Sequence, residues 1–200
     1  QTVWLIDWKN QTNNHFAFAE EVTVKGANAK ANSKRPDIVL YINGIALGVI
    51  ELKRSTISVS EGIRQNLDNQ KPQFIEPFFS TQQLIMAGND SQGIRYGTTL
   101  TAEKYYLTWK EPILDNGLSL LDAHLCQLCE KTRLLELIHD FVVFDSGTKK
   151  LCRPNQYFGI KAAQDYIKRR QGGIIWHTQG SGKSLSMVWL TKWIRENIPD

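Results

Sequence analysis

The chain has 200 residues, with 24 Lys and Arg against 20 Asp and Glu, which leaves a net charge of +4. An apolar fraction of 42% and a charged fraction of 22% are those of a globular protein, so they exclude wholesale disorder and leave room for one large domain or two small ones. No apolar run approaches the roughly 18 residues of a membrane span, the first residues do not resemble a signal peptide, and three cysteines suit the reducing cytoplasm better than a disulfide framework.

The first half of the chain is rich in candidate β-strands. Residues 3–8 predict a strand with no lead-in. One helix is expected near Val59–Asn69, capped by Ser58 or Ser60 and ended by Lys71-Pro72. The polar run 88–93 predicts a loop. The other predicted strands are Phe16–Val24, Asp37–Ile42, Ala46–Lys53, Leu84–Ala87, Ile94–Thr99 and Lys104–Trp109.

The second half of the chain is predicted to be mostly helical. Leucines recur at helical spacing through residues 118–142, and the polar run 145–150 is the best candidate for a domain boundary. We therefore predict one domain over residues 1–147 and the start of another over residues 148–200. The second region predicts a helix from Tyr157 to Arg170, a buried strand over Gly173–Trp176 and a final helix over Leu185–Asn197. A nucleotide-binding domain needs further strands after such a helix, so we expect the chain to be a piece of a longer protein.

Two acids and a lysine stand at the ends of neighbouring apolar runs. Asp37 opens the run 38–42, and Glu51 and Lys53 close the next one. Charges without partners are costly at buried strand ends, and a divalent metal would supply a partner. Mg²⁺ prefers one or two carboxylates together with water and phosphate oxygens. We therefore predict that Asp37 and Glu51 hold Mg²⁺, with the Leu52 carbonyl as a possible further ligand, and that Lys53 orients an attacking water. A solvated or ion-paired strand end is the plainer alternative.

The register of the hairpin gives a check on this prediction. A two-residue Asn43-Gly44 turn would place Asp37 opposite Ile50, and Asp37 and Glu51 would then face opposite sides of the sheet. A shared metal site therefore requires an odd-length loop or a β-bulge.

The helix that follows carries Glu61, Gln65 and Asn69 on one face. Gln65 would contact the metal site or a DNA phosphate. A solvated polar face explains this spacing about equally well.

A phosphate-binding loop is predicted near the C-terminus. It combines Gly180 and Gly182, which let backbone amides approach phosphates, with Lys183 for the β- and γ-phosphates and Ser184 for Mg²⁺. His177 replaces the first glycine of the usual pattern. No second acidic motif or arginine finger accompanies the loop, so this chain alone is not expected to hydrolyse ATP. The predicted nucleotide-binding residues of the loop are Thr178, Gly180, Ser181, Gly182, Lys183 and Ser184.

Five segments in this order resemble the R (restriction) subunit of type I restriction–modification enzymes. They are Arg35–Leu40, Val49–Lys53, Ile63–Asn66, Tyr157–Ala163 and Gly172–Ser184. The resemblance covers essentially the whole chain, and the combination of the two kinds of motif in this order is what makes it specific. It implies an α/β fold: a restriction-endonuclease-like mixed sheet flanked by helices, followed by the first strand and phosphate-binding loop of a RecA-like, superfamily 2 motor.

The resemblance also implies roles for residues. Asp37, Glu51 and Lys53 match the catalytic triad of PD-(D/E)xK nucleases, and Gln65 matches the glutamine of the family's Gln-x-x-x-Tyr element. Asn69 stands where that element has tyrosine, which leaves its role open. Gln156 matches an adenine-recognising glutamine, and Glu20 and Glu21 are candidates for an additional acid.

The activity implied is that of an ATP-dependent type I site-specific deoxyribonuclease. It would use Mg²⁺ and ATP, cut double-stranded DNA far from its recognition site, and work with methylation and specificity subunits, away from any membrane. Its nuclease part would contact phosphates rather than read bases. Two other readings stay open: a junction-resolving or repair nuclease fused to a helicase, and a non-catalytic module that docks DNA or a partner.

Overall fold

The computed structural model describes residues 4–28, 30–113 and 117–198. Within these residues six strands form one mixed sheet in sequential order. The strands are β1 (Phe16–Glu20), β2 (Ile38–Ile42), β3 (Ile45–Leu52), β4 (Leu84–Asn89), β5 (Gly93–Gly97) and β6 (Leu107–Thr108). β3 and β4 run parallel to each other, and the other neighbouring strands of this sheet pair antiparallel. The parallel pair is joined by a helix, α1 (Val59–Asn69), as a parallel connection requires.

Helices cover both faces of the sheet, which confirms the predicted mixed α/β architecture. α1 packs on one face, where Val49, Ile63 and Ile85 form a buried cluster. The other face carries α2 (Leu120–Leu128), α3 (Lys131–His139), α4 (Pro154–Lys168) and α5 (Lys183–Asn197). A hairpin of β7 (Val142–Asp145) and β8 (Thr148–Leu151) lies between α3 and α4 in the chain. In the described part of the chain no helix is long and apolar enough to cross a bilayer.

The predicted bulge is present in the β2–β3 hairpin. The turn itself has two residues, Asn43 and Gly44, because Ile42 pairs with Ile45. Leu40 pairs with Gly48 and Tyr41 with Ala46, so Leu47 is an extra residue on β3. Leu47 joins the core, while a Cβ on Gly48 would lie 3.1 Å from the Leu40 side chain. The missing side chain of Gly48 therefore gives the bulge room.

The predicted helix over Val59–Asn69 is confirmed with the same bounds. Ser58 caps it by accepting a hydrogen bond from the Ser60 amide. The strands predicted as Phe16–Val24 and Lys104–Trp109 are shorter. Val24 forms only an isolated bridge with Lys34. A 3-10 turn at Glu103–Tyr105 precedes the two residues of β6.

Over the described residues 4–8, the strand predicted for residues 3–8 is wrong. The polar residues beyond this run redirect its backbone. The Asp7 carboxylate accepts hydrogen bonds from the amides of Lys9 and Asn10, and the Asp7 amide donates to Asn14 Oδ1 at 2.9 Å. Side-chain bonds of this kind compete with a strand ladder.

The continuous helical region predicted over 118–142 is two helices followed by a strand. Glu130 ends the continuity because its carboxylate caps α3, accepting from the amides of Thr132 and Arg133. The polar run 145–150 is also not a loop. It forms the tip and second strand of the β7–β8 hairpin, with Ser146 and Gly147 both at positive φ, as a tight two-residue turn requires.

The buried strand predicted over Gly173–Trp176 is wrong. Residues 173–176 form no strand, and Ile174 and Trp176 are about 90% exposed. A strand is stabilised by pairing with a neighbour, and no described segment pairs with these residues. The prediction rested on the apolar composition of the segment, and composition does not show whether a partner strand is present.

Candidate nuclease site and nucleotide loop

The bulge brings the two predicted metal ligands to the same face of the sheet. Ile38 pairs with Ile50, so the next pair outward is Asp37 and Glu51. Directly opposed residues of an antiparallel pair share a face. The Asp37 carboxylate is held in place by the Leu52 amide, which donates to Asp37 Oδ2 at 2.7 Å. The sheet thus supplies both carboxylates and fixes one of them through its backbone.

Glu51 is the most constrained residue of the site. Its side chain is 1% exposed and accepts a hydrogen bond from Lys53 Nζ at Oε1, 2.8 Å away. Its other oxygen, Oε2, is buried and has no hydrogen-bond partner among the described residues. Burial raises the pKa of Glu51 from 4.5 to about 7; the Lys53 hydrogen bond opposes this rise, and the Asp37 charge adds to it.

Lys53 bridges the sheet and α1. Its ammonium donates to Glu51 Oε1 and to Gln65 Oε1, each at 2.8 Å. An ammonium has three donors, so these two contacts orient it and leave one for a substrate. The structure therefore brings together all four residues predicted for this site: Asp37, Glu51, Lys53 and Gln65.

The other candidates at this end of the sheet form no side-chain hydrogen bond with that group, although the Glu21 amide donates to the Asp37 carbonyl at 2.9 Å. Glu20 pairs with Ile38, which places it on the face opposite to Asp37. Glu21 is exposed and pairs with Arg35 at 3.4 Å. Asn69 is 1% exposed, and its side-chain oxygen has no partner among the described residues. Asn69 is thus buried in the face of α1, which the helical spacing alone did not predict, and its role stays open.

Gly62 is a residue of this site that the sequence interpretation missed. A Cβ at Gly62 would lie 3.0 Å from the Ala87 Cβ and 3.4 Å from the Glu51 carbonyl oxygen. A Cβ at this position would crowd β3 and β4, so the glycine favours the close approach of α1 that lets Gln65 reach Lys53. A lone glycine inside a helical pattern was the available signal.

The predicted phosphate-binding loop has the backbone that its glycines imply. Gly180 and Gly182 lie at φ 76° and 83°, in the left-handed region, and Gly182 precedes the first turn of α5. The Lys183 ammonium folds back onto the loop and donates to the Thr178 carbonyl at 3.0 Å and the His177 carbonyl at 3.3 Å. The Ser181 hydroxyl is buried without a partner among the described residues.

His177, which departs from the usual loop pattern, has a matching space on α4. A Cβ at Gly159 would lie 3.0 Å from His177 Nε2, so the glycine leaves room for the imidazole. The loop therefore accommodates the larger histidine side chain because the facing position of α4 is a glycine.

Gln156 fixes the loop to the start of α4. Its side-chain oxygen accepts from the Arg153 amide at 2.8 Å, and its Nε2 donates to the Gly182 carbonyl at 2.8 Å. A Cβ at Gly182 would lie 2.5 Å from that nitrogen. Arg153, which the sequence interpretation did not single out, donates to the Gly180 carbonyl at 3.2 Å. The run Arg153–Gln156, with proline at the first helical position and glutamine at the third, is a capping pattern that predicts the bond between Gln156 and the Arg153 amide. The bonds to Gly180 and Gly182 are tertiary contacts that this pattern does not predict.

Comparison with known proteins agrees with this arrangement. Residues 1–104, more than half of the chain, match the family model described as type I restriction enzyme R protein N terminus. The chain belongs to the type I restriction enzyme R protein family. Residues 155–200, which include nearly all of α4 and the nucleotide loop, match the model for SWI2/SNF2 ATPases.

Curated relatives of the R protein family align over nearly all of the chain. The HindI endonuclease subunit of Haemophilus influenzae is 29% identical over 94% of the chain, which corresponds to 19% of that protein. The putative MjaVIIP and MjaIXP endonuclease subunits of Methanocaldococcus jannaschii are 32% and 25% identical over 94% and 95% of the chain, which correspond to 19% and 21% of those proteins. The chain thus spans about a fifth of the length of these relatives.

Proposed function

We propose that this chain carries the DNA-cleaving centre of a type I restriction enzyme and that Asp37 and Glu51 hold Mg²⁺ there. The observation that carries the proposal is the buried Glu51 Oε2, which has no partner among the described residues. An unpaired carboxylate oxygen at 1% exposure is costly to keep. A divalent cation is the partner that fits two carboxylates, and the Leu52 carbonyl would be a further ligand.

The residues around the carboxylates have separate tasks in this proposal. The Leu52 amide fixes Asp37, and Lys53 and Gln65 set the donor geometry beside Glu51. Bound Mg²⁺ would supply Lewis-acid polarisation of a phosphodiester and a more acidic water. The remaining donor of Lys53 would orient that water or stabilise charge on the phosphate. Duplex DNA would be the substrate, contacted through its phosphates.

The nucleotide loop would bind ATP. Gly180 and Gly182 expose backbone amides at the start of α5, where the helix dipole favours an anion. Lys183 would exchange its two carbonyl partners for phosphate oxygens, and Ser184 would hold the accompanying Mg²⁺. Gln156 uses one lone pair on the Arg153 amide and one N–H on the Gly182 carbonyl, so its proposed contact with adenine would use the remaining N–H and lone pair of the amide.

In the full-length protein, ATP-driven translocation would precede cleavage, and methylation and specificity subunits would complete the complex. The chain itself should hydrolyse ATP no faster than its Lys183→Ala variant, even with DNA present. DNA-stimulated turnover that Lys183→Ala abolishes would contradict this part of the proposal.

The nuclease assignment is tested in the full-length subunit assembled with its partner subunits. Asp37→Ala, Glu51→Ala and Lys53→Ala should each lower DNA cleavage by about a hundredfold or more while ATP hydrolysis stays near the wild-type rate. Glu20→Ala, on the opposite face, is the matched control and should cut normally. Cleavage by Glu51→Ala near the wild-type rate would refute the metal site.

A further inference from the structure

A short basic segment leads directly into the candidate nuclease site. It comprises residues 22–28 and 30–36, and Asp37 follows it in the chain. Val24 and Lys34 pair across the segment through two backbone hydrogen bonds, of 2.8 and 3.0 Å. The amide of Asn32 donates to the Gln73 carbonyl at 2.9 Å, beyond the end of α1. We call this segment the basic flap.

The basic flap has a defined shape rather than that of a loose tail. A Cβ at Gly26 would lie 2.3 Å from the Ala31 carbonyl oxygen, so the two arms approach more closely than any residue but glycine permits. Val24 packs against the buried cluster under α1. The Lys34 ammonium lies 4.0 Å from the centroid of the Phe74 ring. These contacts fix the base of the flap on the same sheet face as the carboxylates.

The charge of the flap is one-sided and largely unpaired. It contains Lys25, Lys30, Lys34 and Arg35, and no acidic residue occurs from 22 to 36. Lys25 and Lys30 are exposed and make no ion pair with the described residues. Arg35 has an ion pair with Glu21, but both side chains are at least 60% exposed, and such pairs contribute little.

Two cations on and just after α1 form ion pairs, unlike Lys25 and Lys30 of the flap. Arg64 pairs with both Glu61 and Glu103, and Lys71 pairs with Asp68. Those charges are already compensated within the protein. Arg54, which follows Lys53, is also exposed and forms no ion pair with the described residues, so it adds to the positive charge beside the site. Lys25 and Lys30 of the flap are the unpaired cations that precede Asp37 in the chain, beside two carboxylates that would repel a nucleic acid.

We propose that the basic flap binds the phosphate backbone of duplex DNA and holds it against the site of Asp37 and Glu51. This inference rests on the proposed nuclease function and adds to it the surface that positions the substrate. The flap would contribute through charge and shape, because its ammonium and guanidinium groups pair with phosphate oxygens whatever the base sequence.

The test compares two variants that each remove two positive charges. One is Lys25→Gln with Lys30→Gln; the control is Lys9→Gln with Lys131→Gln, of which Lys131 lies on α3 across the sheet and Lys9 precedes the turn that contacts α3. The affinity of the chain for a duplex of about 30 base pairs is measured by fluorescence anisotropy in EDTA over a series of salt concentrations.

The flap variant should bind about tenfold more weakly, with a salt dependence shallower by about two counterions, whereas the control should stay near wild type. Wild-type affinity in the flap variant, or an equal loss in the control, would overturn the proposal. Gly26→Ala, which keeps every charge but forces the arms apart, should also weaken binding several-fold. Wild-type affinity in Gly26→Ala would overturn the role given to the flap's shape.

Failure of the flap and failure of the nuclease centre give different results. If the flap is wrong but the centre is right, Glu51→Ala abolishes cleavage in the full-length enzyme while the flap variant binds DNA normally. If the centre is wrong but the flap is right, Glu51→Ala cuts normally while the flap variant loses affinity.

Discussion

Glu51 concentrates the electrostatic cost of the site in one side chain. Its carboxyl is buried, shares one oxygen with Lys53 and leaves the other without a partner among the described residues. The raised pKa of about 7 means that the proton competes with any cation for this group near neutral pH. The residue types and spacing predicted the chemistry of the site, but burial and the free oxygen are visible only in the folded chain.

The pH dependence of stability follows from this pKa. Between pH 4.5 and about 7 the unfolded chain has lost the Glu51 proton while the folded chain keeps it, so folding stability should fall as pH rises through that window and then level off. Glu51→Gln removes the titration and should therefore raise the free energy of unfolding by about 1–3 kcal/mol at about pH 8.

Urea unfolding in EDTA at about pH 4 and about pH 8 measures this effect. The gain in Glu51→Gln should be small at the lower pH, because Glu51 is then protonated in both states. A variant that is less stable than wild type at both values would show that Glu51 is ionised and well paired in the folded chain.

Gln65 acts through Lys53 in this account. Gln65→Ala removes one of the two acceptors that orient the ammonium. In the full-length enzyme it should lower kcat for cleavage by about 10- to 100-fold with little change in KM, as removal of a supporting hydrogen bond does at other metal sites. Glu61→Ala, exposed on the same helix, is the control, and equal kcat values in the two variants would remove Gln65 from the site.

At the scale of elements, the β2–β3 hairpin shows what a sequence pattern settles and what it leaves open. Asn43-Gly44 strongly indicates a two-residue turn, and the need for Asp37 and Glu51 to share a face indicates a bulge or a longer loop. Both expectations hold because Leu47 is inserted into β3. The position of the bulge depends on the packing of Gly48 against Leu40, which is a tertiary contact.

The seating of α1 depends on Gly62. Gly62→Val adds three carbon atoms where the Ala87 Cβ and the Glu51 carbonyl already define the limit of approach. It should destabilise the chain by about 1–3 kcal/mol through overpacking, and it should weaken cleavage because α1 moves Gln65 away from Lys53. Glu61→Val, at the neighbouring exposed position, should be close to neutral in both denaturation and cleavage assays. Equal effects of the two substitutions would mean that the helix tolerates the displacement.

Two of the elements that were predicted wrongly show what hydrophobic periodicity and composition do not report. The leucine spacing through residues 118–142 is helical throughout, but the Glu130 side chain caps a new helix and divides the run. The run Gly173–Trp176 has strand composition, but pairing decides whether a strand forms, and residues 173–176 have no partner strand in the described chain. Periodicity reports the preference of a segment, whereas caps and partners are contributed by other residues.

At the scale of the whole molecule, the described residues on either side of the predicted boundary near residue 147 share one core. Tyr157 of α4 packs against Trp109 and Phe141, and its hydroxyl donates to Glu136 on α3 at 2.6 Å. The Tyr96 hydroxyl donates to the Cys152 carbonyl at 3.0 Å. The boundary between two domains stays a prediction, and the packing favours coupling across it.

This packing makes a prediction about cooperativity. The chain should unfold in urea as a single transition, with tryptophan fluorescence and far-UV circular dichroism coinciding. Tyr157→Ala should shift that whole transition by about 3 kcal/mol, because it empties a buried aromatic site shared by α3, α4 and the sheet. The exposed Tyr166→Ala on the same helix is the control. Two separated transitions, only one of them sensitive to Tyr157→Ala, would show that residues 148–200 fold independently.

Metal binding by the chain tests the central claim most directly. Mn²⁺, whose paramagnetism makes bound and free ions distinguishable, is titrated into the apo chain without nucleotide at about pH 8, where Glu51 is ionised. We predict one saturable site that is lost in Asp37→Asn and in Glu51→Gln and retained in Glu20→Gln and Lys183→Ala, so that the ion is assigned to the sheet carboxylates and not to the nucleotide loop. Unchanged Mn²⁺ binding in Glu51→Gln, or no saturable binding by the wild-type chain, would contradict the account.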